Sequence, residues 1–571
     1  MDEYRDEDVV VDHLMASSVK SHLRPLVSLC RKLDATHRGG HGIEHLARLG
    51  GPKMTNVERD ASRRLRCLYG INLRPQPLLL TIQRPDGSIV TESPFNALHP
   101  CDIFAELYKK PALFERSILG PKGRSGPEYF WSHVERYSQH HVVTQDAWRP
   151  YRNSTIAINL HVDGITCFKS RNFLVYSWSS ALVSGLTSYD QQFPIMIIEE
   201  TSVIRGITDH QILQFIKDAF DCFESGLARR PIDSTSSIVR STPLANGFFG
   251  TFWGFTSDLK EKVGEHKFER NYMCNFLCEL CMGNRHLKQY NAYNFAKNAD
   301  WTRTLTRHET YVATHPGASL SPWAAVHGWT LQANLFDIMH LLYLGVLEEF
   351  CGSALFSMAW DISLGTTALL NSALRGLWHE CKNWCREHHI RHTIKKFSTS
   401  LLGWEDASTF PSLEHRVKAA NIKTTFMWVC AKLKSDSATP AELLMSNCAL
   451  AMKRFIQITD RADLFLTEVE AQDASDSGYA FLQLYARLAE SKRLPLDAQR
   501  LWKLIPKHHY LAHLCLEIVR TRLNPRRHDC FVAEDFMGKV KESVEGCGAN
   551  NAGRTFIDRY IRFLAHRWHR D

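Results

Sequence analysis

Alternation of apolar and polar positions is sharpest in "INLHVDGITCF", residues 158–168. Ile156, Ile158, Leu160 and Val162 alternate with small or polar residues, the period of a strand with one buried face, and Asp163-Gly164 reads as its end. Strand-like "FLVYSWSSALV" and "FPIMIIEETS" follow, then helix-like "HQILQFIKDAFDCFESGLARR" and apolar "TPLANGFFGTFWGF". Aromatic residues such as Tyr176 and Trp178 read as sheet core rather than as stacking platforms.

The succession of antiparallel strands, a helix and a further strand predicts the opening of a ribonuclease-H-like mixed α/β sheet, although periodicity alone admits other α/β folds. From 333 to 504 nearly every segment has helical periodicity, among them "ANLFDIMHLLYLGVLEEFCGSALFSMAWDI" and "AELLMSNCALAMKRFIQITDRADLF". The expected organisation is a poorly ordered lead-in (1–60), an accessory N-terminal region (61–150), a sheet core (151–332), a long α-helical insertion (333–504) and C-terminal helices completing the core (505–571). The lead-in shows neither a zinc finger nor a helix-turn-helix pattern.

A chain of 571 residues exceeds what one hydrophobic core supports, so several domains are expected. With 44% hydrophobic and 23% charged residues the composition is that of a folded globular protein rather than a disordered one. The net charge of +8 tilts partners toward polyanions only slightly. The acidic start carries no secretory pattern and no apolar run of 18 residues stands out, so a nuclear or intracellular protein without a membrane partner is expected. Sixteen scattered cysteines then read as metal ligands or core thiols before disulfides.

Candidate chemistry begins at "NYMCNFLCELCMGNRH", where Cys278 and Cys281 form a C-x-x-C, with Cys274 and His286 nearby. Thiolates at that spacing can face one tetrahedral zinc; buried thiols are the competing reading. In "PKHHYLAHL", His509 and His513 lie one helical turn apart on one face and supply a second half-site, His508 with His513 being an alternative. Glu534 and Asp535 open a later helix, either as an ordinary acidic first turn or as metal-binding carboxylates. Asp337 and His340 form a D-x-x-H, whose simplest reading is an i,i+3 hydrogen-bonded pair.

In this order the motifs "HVDGITCF", "CELC", "FDIMHLLYLGV", "HHYLAHL" and "AEDFMG" resemble the DDE transposases of the CACTA type, including their divergent protist relatives, over roughly four fifths of the chain. The resemblance implies a ribonuclease-H-like core split by the helical insertion, with Asp163 and Glu534 as catalytic carboxylates holding Mg²⁺ or Mn²⁺. It implies a structural Zn²⁺ on Cys278, Cys281, His509 and His513, with Asp337, His340 and Asp535 as supporting residues. DNA is the implied partner, with a homo-oligomer if the protein is active. Arg520, Arg522, Arg526 and Arg527, near Glu534, become candidate DNA contacts, against the reading of a solvated charged loop.

One departure stands out. The second catalytic Asp of the family pattern belongs just before the aromatic run, and 241–247 hold no carboxylate; Asp233 and Asp258, the nearest acids, are read as lying off the matching strand end. The expectation is therefore a transposase-derived DNA-binding protein with impaired catalysis, the alternative being a non-catalytic helical scaffold for protein interaction.

Overall fold

The computed structural model describes residues 73–570 apart from 138–140, 231–238, 318–319, 414–416, 437–438, 492–499 and 546–547. The lead-in and Asp233 lie outside the described residues. The fold is mixed α/β. Its centre is a four-stranded sheet of β3 (Thr155–Cys167), β4 (Arg171–Ser180), β5 (Phe193–Glu199) and β8 (Phe249–Phe255), in the order β5-β4-β3-β8. The first three strands form an antiparallel meander, and β8 joins β3 in parallel. That parallel return needs a crossover, supplied by helix α3 (Thr208–Ser225), which packs on β8.

Three expectations change here. Asp163-Gly164 does not end β3: Asp163 pairs with Val175 and Gly164 with Leu174, and the strand runs on to Cys167 before its turn. An Asp-Gly pair tolerates extended backbone once a neighbouring strand satisfies its peptide groups. The turn falls instead at Phe168 and Lys169, both with positive φ. Second, β3 is buried on both faces from Thr155 to Val162, not on one. Third, "TPLANGFFGTFWGF" divides between two strands, β7 (Val239–Pro243), paired with β6 (Leu227–Arg230), and β8.

The two faces of β3 serve different ends. On one, the side chain of Ile158 meets Phe223 of α3 over Gly250, where a Cβ would fall 2.7 Å from the Ile158 Cδ1 and 2.9 Å from the Phe223 ring. On the other stand Asn159, His161 and Asp163. A hairpin of β1 (Gln76–Gln83) and β2 (Ile89–Ala97) continues into helix α1 (Pro100–Tyr108), and the Leu98 N–H donates to the Ile195 carbonyl of β5. Helix α2 (Gly126–Tyr137) precedes the sheet, and α4 (Leu259–His266) follows β8 directly. Tyr176 and Trp178 are buried.

Among the described residues of the expected insertion run the α-helices α5 (Leu347–Ile362), α6 (Thr367–Glu387), α7 (Ala419–Asp436), α8 (Pro440–Arg461) and α9 (Glu468–Ser491). Their apolar stripes meet in one core, with Phe350, Leu374, Phe426, Met452 and Phe481 fully buried. Thr439 and Glu442 close a capping box at the start of α8, with Pro440 in its first turn. Contrary to the expectation of no apolar run of 18 residues, Met339–Ile362 is by length and composition alone long and apolar enough to cross a membrane, and an 18-residue stretch of it is 83% buried inside the protein. Helices α10 (Pro506–Thr521), α11 (Phe531–Val544) and α12 (Ala552–Arg570) end the chain, with α11 packed on β3 and α12 on β5 and β2.

Candidate metal centre and carboxylate cluster

Register explains how acids gather at one end of the sheet. β8 runs parallel to β3 with Leu160 opposite Phe255, and the Thr256 N–H donates to the Leu160 carbonyl at 2.8 Å. The Ser257 hydroxyl accepts the Val162 N–H at 3.0 Å. Asp258, the next residue, follows the C-terminal end of β8, close enough to Asp163 for its charge to bear on that carboxyl. There it caps α4, its Oδ1 accepting the Glu261 N–H at 2.7 Å. Asp258 is thus at a strand end after all. The aromatic run is the strand itself, so an acid carried by that strand's C-terminal end follows the run instead of preceding it.

Glu534 reaches the same place from α11. Its carboxyl meets that of Asp163, and burial together with this neighbour holds Asp163 well above the ordinary carboxylate range. Burial raises Glu534 as well, and the charge of Asp258 bears on both groups. Like charges held this close favour a shared proton or a cation between them.

The D-x-x-H pair supports this cluster from behind. Asp337 accepts the N–H groups of Met339 (3.0 Å) and His340 (2.9 Å) and, across 193 positions, that of Cys530 (2.8 Å), which caps α11. It also binds the His340 Nδ1 at 2.6 Å, turning Nε2 to within 3.6 Å of Glu534. Burial pushes Asp337 up, but the His340 contacts and these N–H donors outweigh it and hold it far below the carboxylate range. Burial likewise opposes a charge on His340, and Asp337 outweighs that, raising the imidazole above its ordinary value. His161, two residues before Asp163 on the same face, went unnoticed in the sequence. It is buried, neither of its ring nitrogens has a hydrogen-bond partner among the described residues, and burial pulls it down to about 3.

Asp535 does not join the cluster. One residue along the helix from Glu534, it is exposed, accepting from the Ser188 hydroxyl at 2.6 Å and pairing with Lys539 at 2.7 Å. The four arginines have protein partners too. Arg520 pairs with Glu517, Arg522 with Glu468 and the Tyr137 hydroxyl, Arg526 with Asp460 and Asp529, and Arg527 donates to the Ala462 carbonyl. Except for Arg520, they tie the stretch before α11 to the helical block and to α2, which the sequence could not show because every partner but Asp529 is remote.

The thiols and imidazoles form a second centre. Cys278, Cys281, His509 and His513 are all buried. The two sulfurs lie 3.4 Å apart, the His509 and His513 Nε2 atoms 3.1 Å apart, and the sulfur–nitrogen separations are 3.3–3.5 Å. A tetrahedron around zinc, with bonds of roughly 2.3 Å to sulfur and 2.0 Å to nitrogen, has edges of about this size. The His509 Nδ1 lies 3.0 Å from the Ala292 carbonyl, fixing Nε2 as the free donor atom, and the Gly283 N–H reaches the Cys281 sulfur at 3.1 Å. A Cβ on Gly283 would fall 2.6 Å from the His509 ring, so the cradle accepts glycine alone. Burial, with Cys281 beside it, pushes the Cys278 thiol up to about 11 when no cation is bound. The donor set therefore fits a metal ion such as zinc. His508 is not a ligand: its Nδ1 accepts the Ile505 N–H at 3.1 Å, and the ring packs on Tyr485. Cys274 and His286 also lie outside the tetrad.

No family model matches the chain, and no curated protein matches it in sequence.

Proposed function

We propose that this chain is a transposase-derived polynucleotidyl transferase whose ribonuclease-H-like core cleaves and joins DNA with Asp163, Asp258 and Glu534 as its metal-binding carboxylates. The observation that carries this reading is Asp258 at the C-terminal end of β8, beside Asp163 and Glu534. Strand order supports it, because the parallel pairing of β8 with β3 carries the chain past the end of β8 alongside the stretch of β3 that holds Asp163. With Asp258 taken as the second carboxylate, this reading expects a working rather than an impaired enzyme.

Mg²⁺ or Mn²⁺ held by these three acids would activate a water or 3′-hydroxyl and stabilise the charge building on phosphate oxygens. The chain's own residues do the positioning. Asp337 holds His340 and the start of α11, and through them the Glu534 carboxylate. The Cys278, Cys281, His509 and His513 tetrad would hold a structural Zn²⁺, since four protein ligands leave no open position for substrate.

Manganese binding followed by electron paramagnetic resonance tests the reading without knowledge of a DNA sequence. Wild-type protein is expected to bind Mn²⁺, and D163N, D258N and E534Q each to weaken binding at least about tenfold and to lower Mn²⁺-dependent DNA cleavage by about 100-fold or more. Unchanged binding and cleavage in D258N would remove that residue from the cluster. Absence of both from the wild type would leave the helical scaffold as the function.

A further inference from the structure

Beside the metal tetrad lies a cavity of about 650 Å³, between the segments 302–307 and 330–336 and the face of α10 running from His513 to Thr521. That volume is in the range of small-molecule sites. No residue of the carboxylate cluster lines it. Trp253, Leu305 and Phe336 give it flat apolar surface, and Leu305 is 46% exposed.

Two side-chain amides stand on the same wall with half their bonding unmet. Asn334 donates to the Leu331 carbonyl at 3.1 Å and Gln332 to the Thr306 carbonyl at 3.4 Å, while the amide oxygen of each has no partner among the described residues. Asn334 is only 6% exposed. A buried acceptor without a donor is costly, and N–H groups of a ligand would satisfy it once the side chain swings toward the cavity and gives up its own N–H bond to the neighbouring carbonyl. Arg303 and Arg307 are exposed at the rim, and Arg520, held against Glu517, stands on the α10 wall. Guanidinium forks match phosphate oxygens.

We propose that this cavity is a nucleotide-binding site, with the heteroaromatic ring against Trp253 and Phe336, its N–H groups on Gln332 and Asn334, and its phosphate at Arg303 and Arg307. A nucleotide answers the three features together: a flat ring, N–H donors on its edge and an attached anion. It comes either as a free mononucleotide or as one nucleotide unstacked from DNA, and the second source rests on the function proposed above. Two lining residues lie near the carboxylate cluster along the chain: Phe336 directly precedes Asp337, and His528 precedes Glu534 by six positions.

The test uses the full chain with no added divalent cation and two probes: dAMP by calorimetric titration, and a duplex carrying one unpaired 2-aminopurine by fluorescence. Two variants accompany the wild type, the exposed double substitution R303E/R307E and T330W, which fills the cavity without changing charge. Binding of dAMP that weakens at least about tenfold in both variants identifies a free-nucleotide site. A 2-aminopurine signal lost in both variants, without dAMP binding, identifies an unstacked nucleotide of DNA. Absence of both signals from the wild type, or signals that survive in both variants, overturns the proposal. Failure of the carboxylate reading would show separately, as Mn²⁺ binding absent from the wild type.

Discussion

At the scale of single residues, the molecule keeps several acids in surroundings that oppose their charge. Asp163 and Glu534 are one case, and Glu265 of α4 is another with no part in the cluster. Burial pushes Glu265 up to about 7 despite the Tyr176 hydroxyl donating to it at 2.9 Å; Arg205 pulls it down, and Glu261 and Asp209 push it up. Folded protein thus holds this proton to higher pH than unfolded chain does. The stability it contributes is complete below the ordinary value of 4.5, falls by about 3 kcal/mol as pH rises to about 7, and is level beyond that. E265Q keeps the acceptor for Tyr176 and removes the titration. Its unfolding free energy relative to wild type is expected to climb between pH 5 and 7, and a difference constant with pH would contradict this account.

At the scale of elements, β8 is the piece on which the carboxylate geometry turns. It lies in parallel against β3 only because Gly250 leaves room for Ile158 and Phe223. G250A would force a methyl group to within 3 Å of both, so a loss of about 1–3 kcal/mol is expected from denaturant midpoints. Since β8 carries Asp258, Mn²⁺ affinity should fall in the same variant while zinc content holds. A G250A protein with altered stability and unaltered Mn²⁺ affinity would show that Asp258 is placed by its cap on α4 rather than by the strand. The start of α11 is the second such element: Asp337 holds the Cys530 N–H, and Glu534 follows one turn later.

At the scale of the whole molecule, the thiol–imidazole tetrad joins positions 278 and 281 to 509 and 513, on either side of the helical block. A metal there closes a loop of more than 200 residues and fixes α10, from which the chain leads into α11 and Glu534. Chelation strong enough to strip zinc is expected to lower the unfolding midpoint, and C281S to cost about 4 kcal/mol or more. Mn²⁺ binding at the carboxylates should fall with it and return on adding Zn²⁺, not on adding more Mn²⁺. Restoration by Mn²⁺ alone would mean that α11 is positioned without the tetrad.

Local rules in the chain carry a good part of this. The C-x-x-C, the two histidines a turn apart and the i,i+3 pair of Asp337 and His340 are legible because each is set by spacing within a strand, turn or helix. The strands of the meander and the helices of the insertion follow from period, and Asp258 with Glu261 even carries a capping pattern before α4. What the sequence leaves open is every relation between segments. Whether Asp163 ends a strand depends on β4 continuing beside it, and whether Asp258 belongs with Asp163 depends on a parallel register set by packing over Gly250. Whether Asp535 or Glu534 faces the cluster depends on the rotation of α11, fixed by the bond from Cys530 to Asp337. Tertiary structure decides these, because charges and ligands hundreds of positions apart acquire their neighbours only when the core closes.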